Sequence, residues 1–128
     1  MFSPTVIDHF DSPRNVGEIA DADATWEEEN PICGDRLRVW LRVDGERVAE
    51  MRWRAEGCAP AIAAASITSE LVTGMPLSEA RMLDKSQVDA ALGGLPARKA
   101  HAAALAASAV RHALLGMPTT DSRGAIRD

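Results

Sequence analysis

Cysteine is scarce in this chain: two thiols, Cys33 and Cys58, stand among 128 residues, and they form no Cys-x-x-Cys motif. A disulfide-dense scaffold is therefore excluded, although a single Cys33–Cys58 bridge is compatible with the sequence. Positive charge is also short. Fourteen Lys and Arg against nineteen Asp and Glu leave a net charge of −5, which argues against general nucleic-acid binding, since that needs a concentrated basic surface. No apolar run is long enough to cross a bilayer, and Met1 to Phe10 lacks the basic start and apolar stretch of a signal peptide. A phosphate-binding glycine loop and a Gly-x-Ser-x-Gly nucleophile turn are missing as well. The expectation is a cytoplasmic protein with reduced thiols, no nucleic-acid or membrane partner, and no enzymatic activity of its own.

What is present is a core-forming composition, 46% hydrophobic and rich in alanine. That suffices for one domain, with helices close enough to pack through small side chains. Ser3 and Pro4 open a short helix to about Phe10, with Val6, Ile7 and Phe10 expected on its apolar side. Asp11-Ser12-Pro13-Arg14-Asn15 breaks it. An acidic stretch follows, with a short strand expected around Thr25 and Trp26 and Glu27-Glu28-Glu29 read as solvated loop. Leu37, Val39, Leu41 and Val43 alternate with Arg36, Arg38, Trp40 and Arg42, the period of a half-buried strand. Asp44-Gly45 marks a hairpin turn, and a second strand runs from Arg47 to Ala55 with Ala49, Met51 and Trp53 on one side. The arginine-rich outer face reads either as a solvated sheet surface or as a docking surface for an acidic partner. Helices are expected over Ala61–Val72, from Ser78 through Met82, over Asp84–Leu92, and over Ala97–Leu115 up to Gly116. The polar residues 117–128 form a tail to a single domain, 1–116. The pattern gives an α+β fold: an antiparallel sheet, three-stranded with the Thr25 segment, covered on one face by helices.

Three short segments carry chemistry. Pro31-Ile32-Cys33-Gly34-Asp35 places a thiol and a carboxylate two residues apart, a soft and a hard donor joined by a flexible glycine. Gly57-Cys58-Ala59-Pro60 puts a thiol at a helix N-terminus, where free N–H groups favour the thiolate. His101 opens the last helix, whereas His9 and His112 sit within helices and read as surface or satisfied residues. Each segment lies at an element end, so all three can meet at one end of the domain. Inert buried thiols are the competing reading.

These residues resemble a known family. Val6-Ile7-Asp8-His9-Phe10-Asp11-Ser12-Pro13-Arg14-Asn15-Val16-Gly17 is similar to the opening signature of the IscU/NifU-type iron–sulfur cluster assembly scaffolds. Ile32-Cys33-Gly34-Asp35 resembles their first cluster-binding loop, and Glu56 through Ala63 their second. Leu95-Pro96-Ala97-Arg98-Lys99-Ala100-His101 looks like their chaperone-recognition loop and third ligand region. The four motifs occur in order over residues 1–116. The resemblance implies an IscU/NifU-like fold and a metal site of Cys33, Asp35, Cys58 and His101. It implies a chaperone-binding segment of Leu95, Pro96, Ala97, Arg98 and Lys99. It implies a [2Fe–2S] cluster or its iron as cargo, with zinc as a possible occupant. The implied partners are a cysteine desulfurase, an Hsp70-type chaperone and apo-protein acceptors.

The sequence departs from the family where a third cysteine follows the histidine, because that position is Ala102. A one-residue shift would put His101 at the cysteine's place but would break the match of Leu105. Two thiolates, an imidazole and a carboxylate still supply four ligands, two for each iron of a [2Fe–2S] cluster. The alternative is a degenerate scaffold: a zinc-binding or regulatory module that docks without assembling clusters. Persulfide transfer through Cys58 ranks third.

Overall fold

The computed structural model describes residues 2–31 and 33–117. All of the expected tail except Met117 lies outside them. The chain order is α1 (Pro4–Asp11), β1 (Ala24–Glu29), β2 (Arg36–Asp44), β3 (Arg47–Glu56), α2 (Ala59–Val72), α3 (Leu77–Ala80), α4 (Lys85–Ala91), a 3-10 turn (Ala97–Lys99) and α5 (His101–Leu115). The three strands form one antiparallel sheet in the order β1-β2-β3, with the helices on one face. The α+β reading is correct.

β2 follows its alternation, with Leu37, Val39 and Leu41 buried beneath the helices. β3 does not keep a strict period of two. Arg42 pairs with Glu50 but Val43 pairs with Val48, so Ala49 is an extra residue. This bulge turns both Val48 and Met51 to the core, joined by Trp53, while Ala49 is exposed. The sequence assignment of Ala49 to the buried side is thereby corrected, because one inserted residue inverts the facing of everything before it.

α1 also differs from expectation. It is capped by Ser3, whose side chain accepts from the Val6 N–H, but its buried residues are Val6 and His9. Ile7 and Phe10 are exposed. The face is chosen by a polar contact: His9 Nδ1 lies 2.7 Å from Ser66 Oγ on α2. The breaker segment after α1 runs along the outer edge of β3. The Trp53 indole donates to the Arg14 carbonyl at 2.7 Å, the Gly17 N–H to the Trp53 carbonyl at 2.9 Å, and the Arg14 N–H to Ser66 Oγ at 2.9 Å. Asn15 adopts φ +63° to make this crossing, a conformation that asparagine tolerates better than most residues.

α2 and α5 pack against each other, and both carry buried small residues, including Ala63, Ala64, Ala103, Ala106 and Ala107. Alanine at these positions lets the helix backbones approach and fill the core without long side chains. Several helix boundaries shift from expectation: α2 begins at Ala59 instead of Ala61, and α4 runs from Lys85 to Ala91 with Asp84 and Leu92 as its caps. α3 starts one residue before Ser78, after Pro76, and Ser78 does not cap it. The last helix is split, because the 3-10 turn ends at Lys99 and α5 begins only at His101.

On the open face of the sheet, each arginine has an acidic neighbour. Arg36 faces Glu27 and Glu56, Arg38 faces Glu27, Arg52 and Arg42 face Glu50, and Arg54 faces Glu18. The acidic run is therefore not a loop. Glu27 and Glu29 lie on β1 opposite Arg38 and Arg36, and Glu28 turns inward to the helices. Cross-strand pairs of opposite charge stabilise a sheet, and here they also neutralise most of the arginine surface.

Candidate metal centre

β1 ends, β2 begins and β3 ends at the same side of the sheet, so the chain ends of three segments converge there. The loop from Asn30 to Asp35 is closed by its own backbone: the Asn30 N–H donates to the Asp35 carbonyl at 2.8 Å, and the Gly34 N–H to the Asn30 carbonyl at 2.7 Å. Gly34 has φ +76°, which a side chain would strain. The turn projects Cys33 outward and Asp35 inward. Cys33 is exposed, whereas Asp35 is only 4% exposed.

Cys58 is the N-cap of α2 but makes no side-chain cap. Its thiol instead faces Asp35, with Sγ 3.4 Å from Oδ2, while its N–H donates to Asp35 Oδ1 at 3.3 Å. His101 arrives from the start of α5. Its Nε2 is 3.5 Å from Cys33 Sγ and 3.4 Å from Asp35 Oδ2. One donor atom each from Cys33, Asp35 and His101 fits within 4.8 Å of the others. Cys58 stands outside that mutual triangle and joins it through Asp35. The carboxylate is thus the hub, with one oxygen on backbone and the other shared among donors.

The reading of Cys58 as an acidified thiol is corrected. Burial pushes its thiol up, and the neighbouring negative Asp35 adds to this. The Ala61 N–H at the helix N-terminus and the Lys99 ammonium lower it only in part. The helix end acts as expected, but burial and the carboxylate outweigh it. A bound cation would reverse that balance, since it attracts both the carboxylate and the thiolate.

Ala102 is buried in the core at 1% exposure, so the group that α5 presents to the site is the His101 imidazole. Of the residues that the resemblance leads one to expect at a chaperone, Ala97 and Arg98 are exposed and Leu95, Pro96 and Lys99 are half-buried. This segment forms the loop and 3-10 turn leading into His101. Sequence reasoning missed the electrostatic reach of Lys99 to Cys58, which depends on the split in the last helix. The other two histidines are held elsewhere. His9 is buried against Ser66, and His112 Nδ1 lies 2.8 Å from Glu28 Oε1.

Three donors of different hardness, facing each other without an intervening side chain, suit a thiophilic metal or a small metal–sulfide unit. The site residues present are compatible with such cargo.

Comparison with known proteins points the same way. Residues 1–122 match the model of the NifU-like N-terminal domain. The chain is similar to the iron–sulfur cluster assembly scaffold protein IscU 1 of Archaeoglobus fulgidus, 42% identical over 115 residues, covering 90% of this chain and 75% of that protein. It is similar to the iron–sulfur cluster assembly scaffold protein IscU of Haemophilus influenzae, 36% identical over 117 residues and covering 88% and 92% of the two chains. In fold it resembles the crystal structure of a nitrogen-fixing NifU-like protein (N-terminal) from Brucella abortus, with TM-score 0.69, 18% identity, and coverage of 88% and 91%.

Proposed function

The chain belongs to the NifU-like N-terminal domain family, and from that premise we propose that Cys33, Asp35, Cys58 and His101 hold the cargo of this iron–sulfur cluster assembly scaffold. The observation that carries the reading is the convergence of Cys33, Asp35 and His101 within 4.8 Å of one another from segments far apart in sequence. Cys58 adjoins them through Asp35.

The cargo is iron with sulfide, in the form of a [2Fe–2S] cluster. Cys33 and Cys58 supply thiolates, His101 an imidazole, and Asp35 a carboxylate, which together give two protein donors for each iron. A carboxylate is a harder and less tenacious ligand for cluster iron than a thiolate. Its central place favours release of cargo over storage. Exposure of Cys33 gives incoming iron and sulfur a path from solvent, while the buried Asp35 fixes where they stop.

The partners follow from the same reading. A cysteine desulfurase supplies sulfur, an Hsp70-type chaperone engages Leu95, Pro96, Ala97, Arg98 and Lys99, and apo-proteins accept the product. The protein acts as a carrier in the cytoplasm and catalyses no reaction of its own. Because the chaperone segment runs directly into His101, a partner that pulls on it also pulls on a ligand.

Anaerobic reconstitution with iron and sulfide tests the reading. The expected product has a charge-transfer absorbance in the visible range that is lost in Cys33→Ser. A colourless wild-type product overturns it, and stoichiometric zinc without sulfide assigns the site to a zinc-binding or regulatory module.

A further inference from the structure

Gly57 does not need to be glycine for its backbone. It is absent from the positive-φ residues, unlike Gly34, Gly45 and Gly74. What it lacks is room: a Cβ built there would lie 2.6 Å from Asp35 Oδ1, 2.9 Å from its Cγ and 3.2 Å from its Cβ. The first two are closer than non-bonded carbon contacts allow. Asp35 therefore rests on the bare α-carbon of the residue just before Cys58.

This close approach is what lets one carboxylate serve two purposes. Oδ1 accepts from the Cys58 N–H at 3.3 Å, and Oδ2 is left to face Cys58 Sγ and His101 Nε2, each at 3.4 Å. A methyl at residue 57 must displace the carboxylate, since the α2 end and the β3 strand are backbone and Asp35 is a short side chain that can swing. We propose that Gly57 is a positioning residue that seats the Asp35 carboxylate between Cys58 and His101. The inference rests on the site assignment above only for its effect on metal; the seating of Asp35 stands on metal-free geometry.

The experiment compares reduced wild type with Gly57→Ala, Asp35→Ala and the double variant. In metal-free protein, hydrogen-exchange protection of the Cys58 amide, taken relative to the intrinsic rate of each sequence, reports its hydrogen bond to Asp35. The protection is expected to fall in Gly57→Ala to the level seen in Asp35→Ala, with no further fall in the double variant. With Co(II) alone as probe, affinity read from the ligand-field bands is expected to fall about 10- to 100-fold in Gly57→Ala, the range for loss of groups that orient a ligand. The double variant should lose no more than Asp35→Ala, because both changes remove the same group.

A Cys58 amide that keeps its wild-type protection in Gly57→Ala overturns the inference, as does a double variant whose losses multiply. Wild type that takes up no Co(II) overturns the metal assignment instead, and the amide comparison still decides the seating of Asp35. Should Gly57→Ala fail to fold, the double variant is expected to fold, because the 2.6 and 2.9 Å contacts are gone and the remaining 3.2 Å approach of the two Cβ atoms needs a shift of only a few tenths of an ångström. A double variant that also fails to fold overturns the inference.

Discussion

Ser66→Ala removes a single oxygen that ties three parts of the molecule together. Ser66 is fully buried on α2. Its Oγ accepts from the Arg14 N–H at 2.9 Å and meets His9 Nδ1 at 2.7 Å. His9 Nε2 faces Glu70 Oε1 at 3.6 Å, so the consistent arrangement is a neutral imidazole protonated on Nε2, with the serine hydroxyl donating to Nδ1. Alanine leaves both the Arg14 N–H and His9 Nδ1 without their partner. Each buried polar group left unpaired costs about 1–3 kcal/mol, and the pair about 2–4 kcal/mol given that Arg14 is at the molecule's edge. For a chain of this size that is a fall in Tm of about 10 °C. Urea unfolding followed by circular dichroism gives the value, and the double variant His9→Leu/Ser66→Ala should lose less than the sum of its parts. A loss below about 0.5 kcal/mol, with unchanged denaturant sensitivity, would mean that this oxygen does not anchor α1 and the 14–17 segment.

Three further outcomes can be checked in the same way. Burial foremost, with Arg14 adding, holds His9 below the ordinary histidine range. The unfolded chain then takes up a proton that the folded one resists, so stability is full above a pH of about 6.5 and falls as pH drops through it; urea midpoints between pH 7 and 5 should show the slope, and His9→Gln should flatten it. Burial pushes the Glu28 carboxyl up, but bonds from His112, Trp26 and Ser108 outweigh this and hold it below the usual range. Its contribution is present above a pH of about 4.5 and lost on acidification, so Glu28→Gln should cost about 1 kcal/mol at pH 7 and little at pH 3, read from tryptophan fluorescence during unfolding. Ala106→Leu places three more carbons where α5 is fully packed, and should lower stability by about 1–3 kcal/mol in a thermal melt.

The parts of the fold that rest on local patterning were legible in the sequence. The alternation of β2, the Asp44-Gly45 turn and the proline-led start of α2 depend on neighbours within a few residues. The bulge at Ala49 was not, because Val48 and Ala49 are both apolar and only pairing with β2 decides which is extra. Hydrophobicity alone points Ile7 and Phe10 inward, whereas a buried histidine bonded 57 residues away sets the face of α1. The same limit applied at the site. Cys33, Asp35, Cys58 and His101 were each visible as chemistry-bearing residues at element ends, and they do converge. The upward push on the Cys58 thiol was not visible, because it comes from burial and from a carboxylate 23 positions away. The pairing of Glu28 with His112 spans 84 positions and leaves no local trace.

Metal and acid-labile sulfide content after anaerobic purification bears most directly on the cargo site. Iron and sulfide in equal amounts are expected in wild type, with both lost together in Cys33→Ser and in His101→Ala. Stoichiometric zinc with no sulfide, or iron and sulfide that persist in those variants, would contradict the assignment of Cys33, Asp35, Cys58 and His101 as the site where this scaffold holds its cluster.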